Sequence, residues 1–282
     1  MHSQVGFDYD YLVIGSGFGG SVSALRLTEK GYRVAVCEQG KRYRTQDFPK
    51  TNWRLRRFLW APALKLHGFF RMKLFRHVWV LSGVGVGGGS LTYANTLLVP
   101  PEVAWDDPDW VDLANWRDEM PDHYATAKRM LGVTETPYLG TADQLLKEGA
   151  DRQGVGETYY RTQVGVYFGE PDETVSDPYF GGAGPDRTGC NFCGGCMAGC
   201  RYGAKNTLDK NYLYLAEQQG AQVLAERKVV DVRPLGAADG SDGYAVTIED
   251  SLSWLRKRRR VLTARGVVFA AGVLGTVPLL LR

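Results

Sequence analysis

The chain has 282 residues, 44% hydrophobic and 23% charged, enough apolar material for one large core or two modest ones in an α/β protein. A formal net charge of +3 is too small to argue for nucleic acid, and no nucleic-acid partner is expected. No run has the unbroken apolar length of a membrane span, and residues 1–8 are polar rather than a signal peptide, so a cytoplasmic protein is expected, peripheral on a membrane at most.

The first element is the most informative. Leu12, Val13 and Ile14 read as a buried parallel strand that runs into Gly15-Ser16-Gly17-Phe18-Gly19-Gly20, and residues 21–30 read as the helix that follows. This is Gly-x-Gly-x-x-Gly in its working context. Gly15 permits the tight turn, Gly17 lets the backbone approach a pyrophosphate, and Gly20 lets helix and strand pack closely. The helix N-terminus then offers free N–H groups to the phosphates. A second strand, residues 33–37, ends at Glu38, placed to accept hydrogen bonds from a ribose; the plain alternative is a solvated strand-end acid. Strand, turn, helix, strand and acid in this order predict a Rossmann-like domain with a parallel sheet, followed by part of an α+β substrate-side region.

Residues 52–81 mix aromatic and aliphatic side chains with Arg and Lys. They read as a buried helix or loop packed across the first domain, with the cations snorkelling; the sharper reading is a lid or membrane-contacting surface. Next, Gly83, Gly85, Gly87, Gly88 and Gly89 lie among Val84, Val86 and Leu91. This second glycine-dense turn is too apolar for a linker and suits another backbone contact with a cofactor.

Helices are predicted over 115–131 and 141–153, and again over 206–219; strands over 223–225, 229–232, 244–249 and 261–264, the last two as a hairpin or small sheet. The run Arg256-Lys257-Arg258-Arg259-Arg260 falls in the loop of that hairpin and reads as a solvated turn, with an anionic partner as the alternative. The organisation predicted is a first domain segment over 1–110, an inserted substrate-side region over 111–205, and a return to the first domain over 206–282.

Four of the five cysteines, Cys190, Cys193, Cys196 and Cys200, form C-x2-C-x2-C-x3-C, the ligand spacing of bacterial iron–sulfur ferredoxins with Arg201 in place of the usual Pro. Clustered this way they are no secreted disulfide framework; an iron–sulfur cluster, a structural zinc, reduced thiols in a glycine turn and a redox pair all remain open. At the other end, residues 267–272 read as a buried strand entering a glycine turn, and an apolar helix has barely begun at Arg282, so the chain is expected to be a fragment.

Taken in order, Gly15–Gly20 with Glu38, the Gly87-Gly88-Gly89-Ser90 turn, and the late Phe269-Ala270-Ala271-Gly272 strand-turn resemble the N-terminal half of the glucose–methanol–choline (GMC) oxidoreductases, in a bacterial sterol-oxidising branch. The resemblance covers essentially the whole chain. It implies FAD, held by Gly15, Gly17, Phe18, Gly19, Gly20 and Glu38 at the ADP end, by Gly87, Gly88, Gly89, Ser90 and Asn95 beside the pyrophosphate and flavin, by the Val229 backbone at the adenine, and by Gly272. It implies oxidation of an apolar alcohol, foremost a sterol 3β-hydroxyl, with oxygen or an electron carrier as acceptor. The catalytic base of the family is expected outside this chain; His67, His77 and His123 match no family motif. Cys190, Cys196 and Cys200 also carry the C-x5-C-x3-C spacing of some membrane-linked GMC-like dehydrogenases with a three-iron cluster.

Overall fold

The computed structural model describes residues 6–281. Its centre is a six-stranded mixed sheet. Strand β1 (Tyr9–Ile14) leads through the first glycine turn into helix α1 (Phe18–Glu29), and β2 (Val34–Cys37) pairs parallel to β1 with Ile14 opposite Cys37. Leu12 and Val13 are wholly buried and face opposite ways. Val13 joins Ala24 and Leu25 of α1 and Leu213 and Ala216 of a later helix, while Leu12 and Ile14 join Ala35, Val246, Ile248 and Leu262 on the other side. Two-sided burial is why β1 reads as a continuous apolar run rather than an alternating one.

Residues 52–81 do not form a buried helix. Only Leu55–Phe58 is α-helical, and the chain then folds into a hairpin of β3 (Phe70–Leu74) and β4 (Trp79–Gly83). Phe48, Phe69, Phe70 and Leu91 are buried together with Tyr43 and Phe58 against them, so the base of the hairpin does pack across the domain. Its outer part does not: Leu74, Phe75, Val78 and Trp79 are exposed, Leu74 and Trp79 at 66% and 65%. Every second residue of a strand points to the same face, and here one such face has no cover among the described residues.

Helices α2 (Trp116–Met130) and α3 (Thr141–Arg152) match the sequence reading within a few residues. The helix expected from residue 206 starts later, as α4 (Tyr212–Gln218), capped by the Asn211 side chain, which accepts a hydrogen bond from the Tyr212 N–H at 2.6 Å. Lys205, Asn206 and Thr207 are buried, and the side chains of Lys205 and Asn206 bind distant loops, so that segment stays irregular.

After β5 (Gln222–Leu224) come β6 (Arg227–Pro234), β7 (Tyr244–Asp250) and β8 (Arg259–Phe269), then α5 (Val273–Leu280). The strand order is β5-β2-β1-β8-β7-β6. The two segments expected as separate strands near 261–264 and 267–272 are one strand. The first part of β8 pairs antiparallel to β7 and the second part parallel to β1, with Tyr9 opposite Ala264 and Ile14 opposite Phe269. One long strand thus fuses the meander to the parallel core and delivers residues 270–272 to the first glycine turn.

Candidate functional site

Two glycine turns meet at the C-terminal ends of β1 and β2. Gly15 has φ +101°, and a Cβ placed on it would stand 2.6 Å from the Ala270 carbonyl oxygen, so the end of β8 closes directly on the turn. A Cβ at Gly88 would lie 2.7 Å from the Gly17 Cα; the second turn is pressed onto the first. Ser16 joins them. Its hydroxyl lies 2.7 Å from Glu38 Oε2 and 3.2 Å from the Gly85 carbonyl, and it accepts the Gly87 N–H at 3.2 Å. Glu38 also accepts the Ser16 N–H on Oε2 and the Gly40 N–H on Oε1 at 2.7 Å. Burial pushes this carboxyl above its ordinary value, and those donors pull against the shift. Nothing acidic stands in the first turn of α1, so no carboxylate of the helix itself competes for the N–H groups and positive dipole end that face the cavity.

That cavity measures about 780 Å³, within the usual range for a bound small molecule. One end is walled by Glu38, Gln39, Arg227, Lys228 and Val229, the middle by Gly15, Gly17, Phe18, Gly19, Gly88 and Gly89, and the rest by Thr92, Tyr93, Met197, the base of the β3–β4 hairpin and residues 270–275. Of the residues singled out from sequence, Gly15, Gly17, Phe18, Gly19, Glu38, Gly88, Gly89, Val229 and Gly272 line it. Gly20 sits behind the turn, where a Cβ would come within 2.0 Å of the Gly15 carbonyl oxygen. Gly87 and Ser90 brace the second turn from within, through the Ser90 hydroxyl donating to the Gly87 carbonyl at 2.7 Å. Asn95, buried with φ +67°, faces a different cavity. Ser16, Arg71, Tyr93 and Met197 were not legible as site residues; only Ser16, inside the motif, carried any signal.

The second cavity, about 250 Å³, is lined by Cys190, Cys193, Cys196, Cys200, Asn95, Asn191, Phe168, Phe192 and Lys205. Lys205 is 1% exposed and its ammonium donates to the carbonyls of Leu91, Tyr93 and Cys196 at 3.1, 2.7 and 2.9 Å. It therefore ties the cysteine loop to the end of the second glycine turn. Burial pushes it down to about 7, against the pull of Cys196 and Cys200. Arg187, also buried, donates to the Gly203 and Ala204 carbonyls and to Asn206 Oδ1. Within this frame Cys196 borders the small cavity while its neighbour Met197 reaches the large one.

Comparison with known proteins gives the large cavity its meaning. Residues 10–49 match the sequence family described as FAD binding domain, and residues 183–282 match GMC oxidoreductase. A cholesterol oxidase of Acinetobacter baumannii is 58% identical over 98% of this chain and 50% of its own length; one of Mycobacterium tuberculosis (strain H37Rv) is 54% identical over 98% and 48%. The chain belongs to the GMC oxidoreductase family. It spans about half the length of the curated relatives it matches. A solved FAD-dependent oxidoreductase from Chaetomium thermophilum shares the fold with a TM-score of 0.60 at 18% identity, covering 97% of this chain and 47% of that one.

The GMC cofactor is FAD, and the residues present fit it. Added Cβ atoms at Gly17 and Gly19 would meet no protein atom within 4 Å, so no internal packing asks for glycine there; the room they leave opens into the cavity at the α1 N-terminus. The thiol pocket fits a metal less well. Among the described residues, no group of three or more His, Cys, Asp or Glu side chains is arranged to hold an ion. The four cysteines are free thiols around one cavity.

Proposed function

We propose that the longer protein to which this chain belongs oxidises the 3β-hydroxyl of a sterol, passing the electrons through FAD to oxygen. The observation that carries the reading is the conjunction of 54–58% identity to cholesterol oxidases along nearly the whole chain with a cavity built for FAD. FAD supplies the hydride acceptor. This chain's part is to hold it. The N–H groups at the start of α1 face the pyrophosphate. Glu38, its carboxylate held by the Gly40 and Ser16 N–H groups, stands at the cavity wall where a ribose hydroxyl can donate to it. Gly88 and Gly89 let the second turn approach the cofactor, and Val229 stands at the end where adenine is expected. Alcohol deprotonation is assigned to the part of the protein outside this chain, so the chain alone should bind FAD without turnover.

The β3–β4 hairpin is proposed as the place where this cytoplasmic enzyme touches a membrane and takes up its apolar substrate. Its base lines the FAD cavity through Phe70, Arg71, Val80 and Leu81, while its tip exposes Leu74, Phe75 and Trp79 beside Lys73, Arg76 and His77. Aromatic and basic side chains together suit an anionic lipid interface.

The deciding assay gives cholesterol to the complete FAD-loaded protein and measures hydrogen peroxide. Stoichiometric peroxide supports the oxidase reading. Reduction of a dye acceptor without peroxide supports a dehydrogenase, and no turnover of any sterol rejects the proposal.

A further inference from the structure

A third cavity, about 460 Å³, lies on the meander side of the sheet, and its walls carry four arginines: Arg227, Arg258, Arg259 and Arg260. The strand registers explain how they come together. Arg227 on β6 stands opposite Asp250 on β7, the Asp250 N–H bonds the Arg258 carbonyl on the far side, and Arg260 on β8 stands opposite Ile248. Residues two apart on a strand share a face, so Asp250 and Ile248 share theirs with arginines on both flanks. The alternate positions behave differently. Glu249 lies opposite Arg259 and is ion-paired to both Lys257 and Arg259, at 3.0 and 3.4 Å.

The basic run in the sequence is thus sorted into two sets. One is neutralised by Glu249. In the other, Arg227, Arg258 and Arg260 make no ion pair among the described residues, although Asp250 is beside them. The Asp250 carboxylate is taken by the turn, accepting the Leu252 and Ser253 N–H groups at 3.0 and 3.3 Å on Oδ1. Beneath the arginines the cavity has an apolar floor of Leu224, Ile248 and Leu262. Several guanidinium groups around an apolar floor, with the one wall carboxylate, Asp250, already held by turn N–H groups, match a phosphate group carried on a body with apolar surface.

We propose that this cavity binds a phosphate-bearing ligand, at a site next to the FAD cavity, with which it shares the Arg227 wall. The phosphate can arrive on a soluble ester or on a lipid headgroup, and the test separates the two. The complete protein, saturated with FAD so that the glycine turns are filled, is titrated calorimetrically with inorganic pyrophosphate. In parallel it is sedimented with vesicles containing phosphatidic acid, against vesicles of phosphatidylcholine alone.

Saturable pyrophosphate binding that weakens at least tenfold in Arg258→Ala/Arg260→Ala supports the site. If vesicle binding is unchanged in that variant, the ligand is a soluble ester; if it falls as well, the ligand is a headgroup. The double variant Arg233→Ala/Arg256→Ala removes the same charge away from the cavity and should bind like the parent. An equal loss in that control, or no saturable binding by the parent to either probe, overturns the proposal. Should Arg258→Ala/Arg260→Ala lose its flavin spectrum or its melting transition, Arg260→Gln gives the same readout with one change.

Discussion

The first glycine turn and the cysteine loop are both dense in glycine and both carry a spaced motif, yet the structure holds their backbones in different ways. In the turn, close backbone approaches to the adjoining strands and the second glycine turn shape the path: Gly15 against Ala270, Gly88 against Gly17, Ser16 between Glu38 and Gly87. In the cysteine loop the path is dictated from outside. Lys205 pulls it toward Leu91 and Tyr93, and Arg187 binds the Gly203 and Ala204 carbonyls that follow it. A ligand spacing states what the chain can reach, not where long-range hydrogen bonds will hold it.

The comparison can be broken most severely at Gly15. Gly15→Val places a branched side chain at φ +101° with its Cβ inside contact distance of Ala270. We expect a loss of about 4 kcal/mol or more and an apoprotein that no longer retains flavin. Urea denaturation and the flavin absorbance of the purified variant check this; a yellow protein of parental stability would mean that the end of β8 does not close on the turn. Lys205→Met comes next. It leaves the Leu91, Tyr93 and Cys196 carbonyls without their donor, at a cost of about 3 kcal/mol by the same denaturation. Because Lys205 is the link between the regions, protease cutting should rise in the cysteine loop and at 91–93 together. Cutting confined to one of them would show the regions to be independent.

How much was legible follows the same division. The β1–α1–β2 unit and its acid were readable because strand burial, turn glycines and helix N-terminus are local consequences of consecutive residues. So were α2 and α3, each set by its own period. The fusion of 261–264 and 267–272 into one strand was not, since the pairing of β8 with β1 joins residues some 255 positions apart, as in the contact of Asp8 with Thr263. The late start of α4 was hidden for a related reason: Asn206 and Lys205 carry helix-compatible side chains whose partners lie at Gly132, Tyr179 and Leu91. Residues 52–81 were legible in part: Phe58, Phe69 and Phe70 pack across the domain as a loop was expected to, whereas the open hairpin face answers to the alternative of an exposed surface, and an apolar, basic stretch does not tell which part is covered.

A smaller effect is expected at Asp177, which organises the loop leading into the cysteines. Burial of its carboxylate acts upward, but N–H donors from Gly184, Tyr179, Phe180 and Gly182 outweigh it and hold the group below its ordinary 3.8. The folded state then binds fewer protons than the unfolded one between the two values. Its contribution is complete above about 3.8 and fades as pH falls through the folded value. Asp177→Ala should cost about 2 kcal/mol near neutrality, and its stability should fall less steeply than the parent's below pH 4. Parallel pH profiles for the two proteins would remove Asp177 from the frame of the loop.

The smallest change is expected where the motif is most conspicuous. Cys193 is an exposed free thiol, and no metal-holding set includes it among the described residues. Cys193→Ser should therefore shift stability by no more than about 0.5 kcal/mol and leave the visible spectrum that of flavin alone. The outcome separates two kinds of loop. A thiol that only lines a cavity is exchanged for a hydroxyl at almost no cost. A thiolate that ligates a cluster is not, because its loss exposes a coordination position and bleaches or destroys the centre. Anaerobic purification of the parent, removal of FAD with acid, and iron analysis of what remains give the reference. A broad absorbance in the parent that dithionite bleaches and Cys193→Ser abolishes would mean that metal reshapes residues 190–200, and that the loop is set by its ligands after all rather than by Lys205 and Arg187.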